Sequence, residues 1–373
     1  MKTLNTKSRG PLVSYIQLTL KNLGLYSHNV DGIYGIETKH AVQKFQTNNN
    51  LVSDGIVGDI TYNALLKYMS VPTSIYYSYD ILTLNISSLK TRFPFITTGS
   101  IGNSVMAKDI FYIKLGKGNK EVLYVASTHA NEWITSIVLM KFVEDYLKAY
   151  ESKSSIYEIS ASYLYENYSI YIIPMLNPDG VDLVTSEISK GTDYYNTAKN
   201  ISLDFPNIRF PDGWKANISG IDLNLQFPAN WDMAKEIKYS QGYTKPAPRD
   251  FVGKKPLDTI EALSIYDFIL SHNFYIMLSY HSQGEVIYYK YLDYDPPNSL
   301  EIAEKISKIS GYTLELTPYS SSFAGLKDWF IKYFNLPAYT IEVGRGVNPL
   351  PISQFDKIYE NNIGILASIP TFI

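Results

Sequence analysis

From about residue 80 to the carboxyl terminus, short apolar runs alternate with amphipathic stretches. The apolar runs are rich in β-branched and aromatic residues, which is typical of buried strands: DIFYIKL, EVLYVAS, YSIYIIPML, FYIMLSYH and AYTIEV. The stretches between them, such as ITSIVLMKFVEDYLKAY and LDTIEALSIYDFIL, show the spacing of amphipathic helices. Strands that alternate with helices predict an α/β domain over residues 81–373, with a buried mixed sheet and helices on both faces.

The amino-terminal part of the chain has a different pattern and contains an internal repeat. DGIYGIETKHAVQKF starts at Asp31, and DGIVGDITYNALLKY starts at Asp54. In each copy a glycine-containing turn precedes apolar residues at helical spacing, and LVSYIQLTLKNLGLY predicts one more helix before them. We therefore expect a small three-helix module over residues 1–72. The helical pattern stops at Pro72, which places a linker at residues 73–80.

Composition narrows the range of functions. The 373 residues carry a formal net charge of −3, so the chain lacks the basic surface of a nucleic-acid-binding protein. It has no cysteine, which excludes disulfides and thiolate metal ligands, so any bound metal must be held by histidine and carboxylate. We also expect no membrane span, because no stretch approaches the ~20 apolar residues that one requires. The first residues lack the apolar core of a secretory signal.

Candidate metal ligands lie where predicted strands end. His129 and Glu132 follow the strand EVLYVAS, and His281 closes FYIMLSYH. Open α/β sheets bind ligands at the carboxyl ends of their strands, and two histidines with one glutamate can form a catalytic zinc site that leaves a position for water. A single His-x-x-Glu pair is weak evidence, since buried structural histidines give the same pattern. The other histidines are expected to be structural: His28, His40 and His272.

Glu342 lies near the end of the apolar run AYTIEV and is the candidate general base for the attacking water. A carboxylate at the end of a buried strand could also be a structural partner of Arg345, and the residues alone leave both interpretations open.

From about Tyr77 onward the chain resembles the zinc carboxypeptidase family. The resemblance rests on ordered motifs: HANE, NPDG, GIDLN and IEVG. It implies one Zn²⁺ bound by His129, Glu132 and His281, with Glu342 as the catalytic glutamate. It also implies that Asp222 orients a ligand imidazole.

Departures from the family pattern indicate an unusual substrate. Typical members bind the substrate's terminal carboxylate with an Asn-Arg pair, which reads Asn224-Leu225 here, and Asn131 replaces a second arginine. Lys215 stands where the family has an arginine and can stabilise an oxyanion. The chain thereby resembles the bacterial branch that cleaves the γ-D-glutamyl to meso-diaminopimelate bond of wall stem peptides. Arg345 and Asn348, together with Asn224, are candidate substrate contacts.

The amino-terminal module resembles the peptidoglycan-binding domain of bacterial wall hydrolases, through the phrases around Gln17, Asp31 and Asp54. This implies peptidoglycan as the partner and a location at the bacterial cell wall, at a spore or in a sporulating cell. Two alternatives stay open. A general metallocarboxypeptidase could bind a terminal carboxylate with Arg209 or Arg345, and an inactive wall-binding protein would retain only the module's function.

Overall fold

A computed structural model describes residues 2–373, which divide into two compact units. The first unit contains the described residues up to Ile96 together with Thr185–Glu187, and the second contains Thr97–Val184 and Ile188–Ile373. The predicted domain limits stay a prediction. Residues 81–96 and Thr185–Glu187 belong to the predicted catalytic domain but to the first compact unit. Within the described residues, no helix is both long and apolar enough to cross a membrane.

The first unit is helical. Its helices are α1 (Pro11–Asn22), α2 (Ile36–Asn48), α3 (Asp59–Leu65) and α4 (Tyr79–Arg92). Helices α2 and α3 begin directly after Gly35 and Gly58, so Thr38 and Thr61 lie inside the first turn of each helix. Both threonines are buried.

The internal repeat forms the same hydrogen-bond network twice. The Gln17 side-chain amide donates to Asp31 Oδ1 at 2.8 Å and to Thr38 Oγ1 at 3.1 Å, and its oxygen accepts from the Gly32 amide. The second copy repeats these bonds from Gln46 to Asp54, Thr61 and Gly55. The glutamines and threonines of both networks are buried, so these hydrogen bonds satisfy their polar groups and stabilise the turn before each helix.

The second unit is built around a mixed sheet. Its strands are β1 (Thr97–Asn103), β2 (Asp109–Leu115), β3 (Lys120–Ala126), β4 (Ser155–Ile156), β5 (Ile159–Ser160), β6 (Tyr168–Ile173), β7 (Phe274–His281), β8 (Val286–Tyr288), β9 (Thr313–Glu315) and β10 (Ala338–Glu342). The helices are α5 (Ile134–Glu151), α6 (Ala161–Asn167), α7 (Pro178–Val184), α8 (Asp193–Leu203), α9 (Trp231–Ser240), α10 (Ile260–Leu270), α11 (Ser299–Ser310), α12 (Leu326–Phe334) and α13 (Phe355–Ser368).

Eight of these strands form one sheet in the order β1-β2-β6-β3-β7-β10-β8-β9, and β4 and β5 pair separately. Its centre is parallel, because β3 pairs in parallel with both β6 and β7, and β7 pairs in parallel with β10. Parallel strands need cover on both faces. Leu123 and Val125 of β3 belong to a core cluster with residues of α10 and α12. Tyr124, on the opposite face, donates a hydrogen bond to the Leu366 carbonyl of α13. This architecture confirms the predicted α/β class.

Candidate zinc centre

Three neighbouring parallel strands end at one point of the sheet and carry the candidate catalytic residues there. His281 is the last residue of β7 and Glu342 is the last residue of β10, and the two lie opposite each other in the strand register. The chain leaving β3 reaches His129 three residues after Ala126, and Glu132 closes a short 3₁₀ turn just before α5. The sheet register therefore brings together residues that are up to 213 positions apart in the sequence.

The donor atoms of His129, Glu132 and His281 all lie within 4.8 Å of one another, and all three residues are buried. Glu132 Oε1 is 3.0 Å from His129 Nδ1, and Glu132 Oε2 is 2.9 Å from His281 Nδ1. The two Nδ1 atoms are 3.1 Å apart. Two imidazoles and one carboxylate form the ligand set of a catalytic zinc site.

The outer nitrogens of both rings face hydrogen-bond acceptors. His129 Nε2 lies 3.2 Å from Asp222 Oδ1, and His281 Nε2 lies 3.1 Å from Ser279 Oγ. When His129 donates its Nε2–H to Asp222 and His281 donates its Nε2–H to Ser279, both Nδ1 atoms carry lone pairs. These lone pairs are directed at each other and at the Glu132 carboxylate. Three converging lone-pair donors repel one another unless they share a cation, so these residues fit a bound Zn²⁺. Asp222 thus lies within hydrogen-bond distance of His129, and its role in orienting that imidazole stays a prediction.

The carboxylates of Glu132 and Asp222 favour positive charge at the zinc centre. Burial alone would lower the pKa of His129, but Glu132 and Asp222 outweigh it and raise that pKa to about 9. Burial would raise the pKa of Glu132, yet the charges of His129 and Lys215 hold it well below its usual range. Burial lowers the pKa of His281, which favours the neutral imidazole that a metal requires.

The charge on Asp222 is expected to matter for metal binding. In Asp222→Asn the amide oxygen can still accept from His129 Nε2, but the negative charge is lost. Changes of such outer partners typically weaken metal binding by about 10- to 100-fold. A chelator competition titration with zinc measures this. Asp212→Asn, which removes a carboxylate paired with Arg209, is the matched control. Equal zinc affinity in both variants would contradict the assignment.

Glu342 is partly buried beside the zinc ligands. Burial and the nearby Glu132 carboxylate raise its pKa to about 8, against the opposing charges of Lys215 and His129. A carboxylate whose pKa lies near neutrality is a better proton acceptor than one with an ordinary pKa. Arg345 does not pair with Glu342. Its Nε donates to Glu285 Oε2 at 2.6 Å. The alternative interpretation, in which Glu342 is a structural partner of Arg345, is therefore not supported.

Lys215 lies on a turn that is fixed against the loop of the first ligand. Its carbonyl accepts from the Ala130 amide at 3.0 Å, and its ammonium lies 3.5 Å from Glu132 Oε1. The turn ends at Asn217, whose side-chain oxygen accepts from two backbone amides and whose amide donates to Glu261 Oε2 at 3.3 Å. A cation is thus held beside the zinc ligands, where it can face an oxyanion.

Burial raises the pKa of Glu261 to about 7 from its usual 4.5. A group with a raised folded-state pKa stabilises the fold below pH 4.5, and this contribution is lost as the pH rises through 7. We therefore expect the unfolding free energy of the wild type to fall by about 3 kcal/mol more than that of Glu261→Gln between pH 4.5 and 8. Urea unfolding measures it. Glu304→Gln, an exposed change on α11, is the control, and identical pH dependence in the wild type and Glu261→Gln would contradict the expectation.

Two cavities adjoin the zinc centre. The small cavity, of about 230 Å³, is lined by the two histidine ligands and by Lys327 and Asp328, among others. The large cavity, of about 640 Å³, is lined by Asn131, Arg209 and Arg249 among others. Lys215 and Glu342 line both cavities. The two cavities therefore adjoin at these two residues.

The three candidate substrate contacts, Asn224, Asn348 and Arg345, lie in different parts of the structure. Asn224 lines the small cavity, and its side-chain oxygen accepts from the Leu326 amide at 3.1 Å. Asn348 lines the large cavity and exchanges two hydrogen bonds with Ser282. Arg345 is 77% exposed at its side chain and is absent from the described lining of both cavities. Their substrate roles stay predictions.

Three residues that the structure places at the zinc centre or in the small cavity are not singled out by the sequence: Ser279, Lys327 and Asp328. Ser279 lies two residues before His281 on β7, so alternation along the strand gives the only signal for it. Lys327 and Asp328 lie at the start of α12, where a lysine and an aspartate resemble ordinary surface residues. Both are buried, which only the folded chain reveals.

Comparison with known proteins agrees with this geometry. Residues 84–364 match the zinc carboxypeptidase family, and residues 9–65 match a putative peptidoglycan-binding domain. The chain is 42% identical over 291 residues to gamma-D-glutamyl-L-diamino acid endopeptidase 1 of Lysinibacillus sphaericus, which covers 78% of this chain and 71% of that protein.

Solved structures share the fold. Thrombin activatable fibrinolysis inhibitor aligns with a TM-score of 0.62 at 18% identity, covering 89% of this chain and 80% of that one. Carboxypeptidase A from Helicoverpa armigera aligns with a TM-score of 0.58 at 18% identity, covering 82% of this chain and 75% of that one.

Proposed function

Because this chain belongs to the zinc carboxypeptidase family, we propose that it hydrolyses the amide bond between γ-D-glutamate and meso-diaminopimelate in the stem peptides of peptidoglycan. Family membership and the His-Glu-His group make the chain a zinc-dependent metallopeptidase. The bond that it cuts is the proposed part. The observation that carries this proposal is the 42% identity to a relative whose name specifies the γ-D-glutamyl to L-diamino acid linkage.

The position of Leu225 supports the choice of substrate. Typical family members have an arginine there that binds a terminal carboxylate. Leu225 instead packs in an apolar cluster with Trp231, Val252 and Phe323. Leucine suits these apolar neighbours, among which burial of a charged side chain would be unfavourable. The site therefore lacks the usual arginine for the carboxyl terminus of an ordinary protein.

The large cavity can accept the acyl part of such a stem peptide. A γ-linked D-glutamate keeps its α-carboxylate free, so the acyl side of the scissile bond carries a negative charge. Lys215, Arg209 and Arg249 line this cavity, and Glu342 is the one carboxylate among its described lining residues. Arginine is well suited to carboxylate recognition. The acyl side of a stem peptide also continues toward the glycan chain, so it needs the larger of the two cavities.

The chain's own residues perform the proton transfers in this proposal. When bound by His129, Glu132 and His281, zinc supplies a Lewis acid that polarises the scissile carbonyl and lowers the pKa of water. Glu342 takes a proton from the attacking water and gives it to the departing amine of diaminopimelate. Lys215 stabilises the negative charge that develops on the carbonyl oxygen. The products are a peptide ending in D-glutamate and a free diamino acid or a peptide that begins with one.

The amino-terminal module would hold the enzyme on its substrate. A peptidoglycan-binding domain raises the local concentration of stem peptides without changing the active site. A groove of about 380 Å³ on this module is lined by Tyr26, His28 and Glu37 and is a candidate surface for wall glycan or peptide. The site of action in this proposal is the bacterial cell wall, including the wall of a spore or of a sporulating cell.

One experiment separates this proposal from its alternatives. Zinc-loaded protein is given L-alanyl-γ-D-glutamyl-meso-diaminopimelate and, separately, a hippuryl amino acid, and kcat/KM is measured for each. We expect cleavage of the stem peptide with at least about 100-fold preference, because the site lacks the usual carboxylate partner. Cleavage of the hippuryl substrate alone would favour a general carboxypeptidase. Cleavage of neither, with zinc bound, would favour an inactive wall-binding protein.

A further inference from the structure

A short turn carries Lys215 at the zinc centre, and one buried glutamate contacts that turn. The indole Nε1–H of Trp214 donates to the Asn217 carbonyl at 3.1 Å, which closes the turn around Lys215. The side-chain amide of Asn217 donates to Glu261 Oε2 at 3.3 Å. Trp214, Asn217 and Glu261 are all fully buried. We call residues 214–217 the lysine turn.

Glu261 belongs to a firmly packed part of the second unit. It is the second residue of α10, and the Thr259 side chain caps this helix by accepting from the Ala262 amide at 3.2 Å. Ala262, Ile265 and Ile269 of the same helix pack in a core cluster. The hydrogen bond from Asn217 therefore ties the lysine turn to an element that core packing holds in place.

The hydrogen bonds of Glu261 suit a carboxylate. Its Oε2 accepts from Asn217, and its Oε1 accepts from the backbone amide of Val105 at 3.4 Å. Both of these partners are donors. An ionised carboxylate can accept at both oxygens, whereas a neutral carboxyl group or an amide presents a donor on one side. Glu261 is therefore best able to hold Asn217 when it is charged.

A charge at this position is unfavourable for folding. Burial outweighs the hydrogen bonds from Asn217 and Val105 and raises the pKa of Glu261 to about 7, and the Asp179 carboxylate acts in the same direction. The stability that the protonated group provides is lost as the pH rises through 7. Natural proteins retain such locally unfavourable groups mainly at functional sites. Glu261 is thus a candidate for a role in the reaction as well as in the fold.

We infer that Glu261 is a positioning residue for catalysis, which fixes the lysine turn through Asn217 so that the Lys215 ammonium faces the oxyanion of the scissile carbonyl. A lysine side chain is a flexible stem with a point charge at its end. Its effect on an oxyanion therefore depends on a backbone that is held in place before the reaction. The inference rests on the role of Lys215 in the proposed function and adds a residue that acts through the lysine turn.

A double-mutant cycle tests this inference. The wild type, Glu261→Met, Lys215→Met and the double variant are compared by kcat per bound zinc on the stem tripeptide, or on the hippuryl substrate if only that one is cleaved. We expect Glu261→Met to lower kcat by about 10- to 100-fold with KM within about threefold, because lost oxyanion stabilisation appears in kcat. In the Lys215→Met background the same change should lower kcat by less than about twofold.

Two further variants separate positioning from folding. Glu144→Met removes a glutamate that is 1% exposed on α5 and outside the described lining of both cavities. It should keep kcat per bound zinc within about twofold, because unfolding removes bound zinc and activity together. Glu261→Gln retains one acceptor oxygen, so its kcat should fall by only about threefold, and only when Lys215 is present. It replaces Glu261→Met in the cycle if that variant does not fold.

An equal loss of kcat in both backgrounds would overturn the inference, because Glu261 would then act independently of Lys215. Unchanged kcat in Glu261→Met and Glu261→Gln would overturn it as well. Cleavage of the hippuryl substrate alone would refute the proposed bond, while the cycle on that substrate would still decide the role of Glu261. If the wild type with bound zinc cleaves neither substrate, the proposed function and this inference are both overturned.

Discussion

Glu342→Gln is expected to lower kcat on the stem tripeptide by about 10²- to 10⁴-fold while zinc content stays at that of the wild type. Glutamine matches glutamate in size but cannot accept the proton of the attacking water. The residue contributes no atom to the His-Glu-His group, so metal binding should persist. Steady-state kinetics combined with elemental analysis of the purified variant measures both quantities.

Glu304→Gln on α11 is the matched control for this change. Glu304 is exposed and lies outside the described lining of both cavities. We expect it to retain kcat within about twofold, as surface changes away from a site usually have small effects. If Glu342→Gln kept full activity, Glu342 would not be the general base, and the proton would have to pass through another group.

His281→Ala is expected to abolish stoichiometric zinc binding and to reduce hydrolysis by at least about 10³-fold, since without the metal the attacking water has a pKa of ~16 instead of ~7. His281 is the one ligand contributed by β7, and its Nδ1 lies close to both of the others. Zinc analysis and the rise in melting temperature on zinc addition measure the loss, because a ligand that binds only the folded state stabilises it.

His272→Ala controls for the removal of an imidazole from the same unit. His272 lies just after α10, and its Nδ1 is 2.8 Å from the Phe268 carbonyl, as expected for a histidine at a helix end. This change should reduce stability by about 1 kcal/mol and leave zinc binding and activity unchanged. Stoichiometric zinc in His281→Ala would show that the metal is held elsewhere.

The central strands and main helices could be predicted because burial on both faces produces continuous apolar runs. The runs DIFYIKL and FYIMLSYH coincide with β2 and β7. The edge strand β1 could not be predicted, since Ile101 is its one aliphatic residue and two of its seven residues are glycine. Strands β8 and β9, with three residues each, are too short to show a period.

The placement of the candidate zinc ligands and Glu342 at one edge of the sheet was predictable for a related reason. Each follows or ends a recognisable strand, and the carboxyl ends of parallel strands meet at one edge of the sheet. The charged pair of the small cavity was not predictable. Lys327 follows β7 by almost fifty residues, and its burial depends on how α12 packs, which no local pattern reveals. The partner of Arg345 was not predictable either. Arg345 follows Glu342 by three residues, yet its side chain pairs with Glu285.

Hydrolysis in water enriched in ¹⁸O tests the central claim most directly. With zinc-loaded protein and L-alanyl-γ-D-glutamyl-meso-diaminopimelate, mass spectrometry should find unlabelled diaminopimelate and an alanyl-glutamate dipeptide with one ¹⁸O in its γ-carboxylate. The label should appear only when zinc is present. Cleavage between alanine and glutamate, label in any other group, or an intact tripeptide in the presence of bound zinc would contradict a zinc-dependent γ-D-glutamyl peptidase.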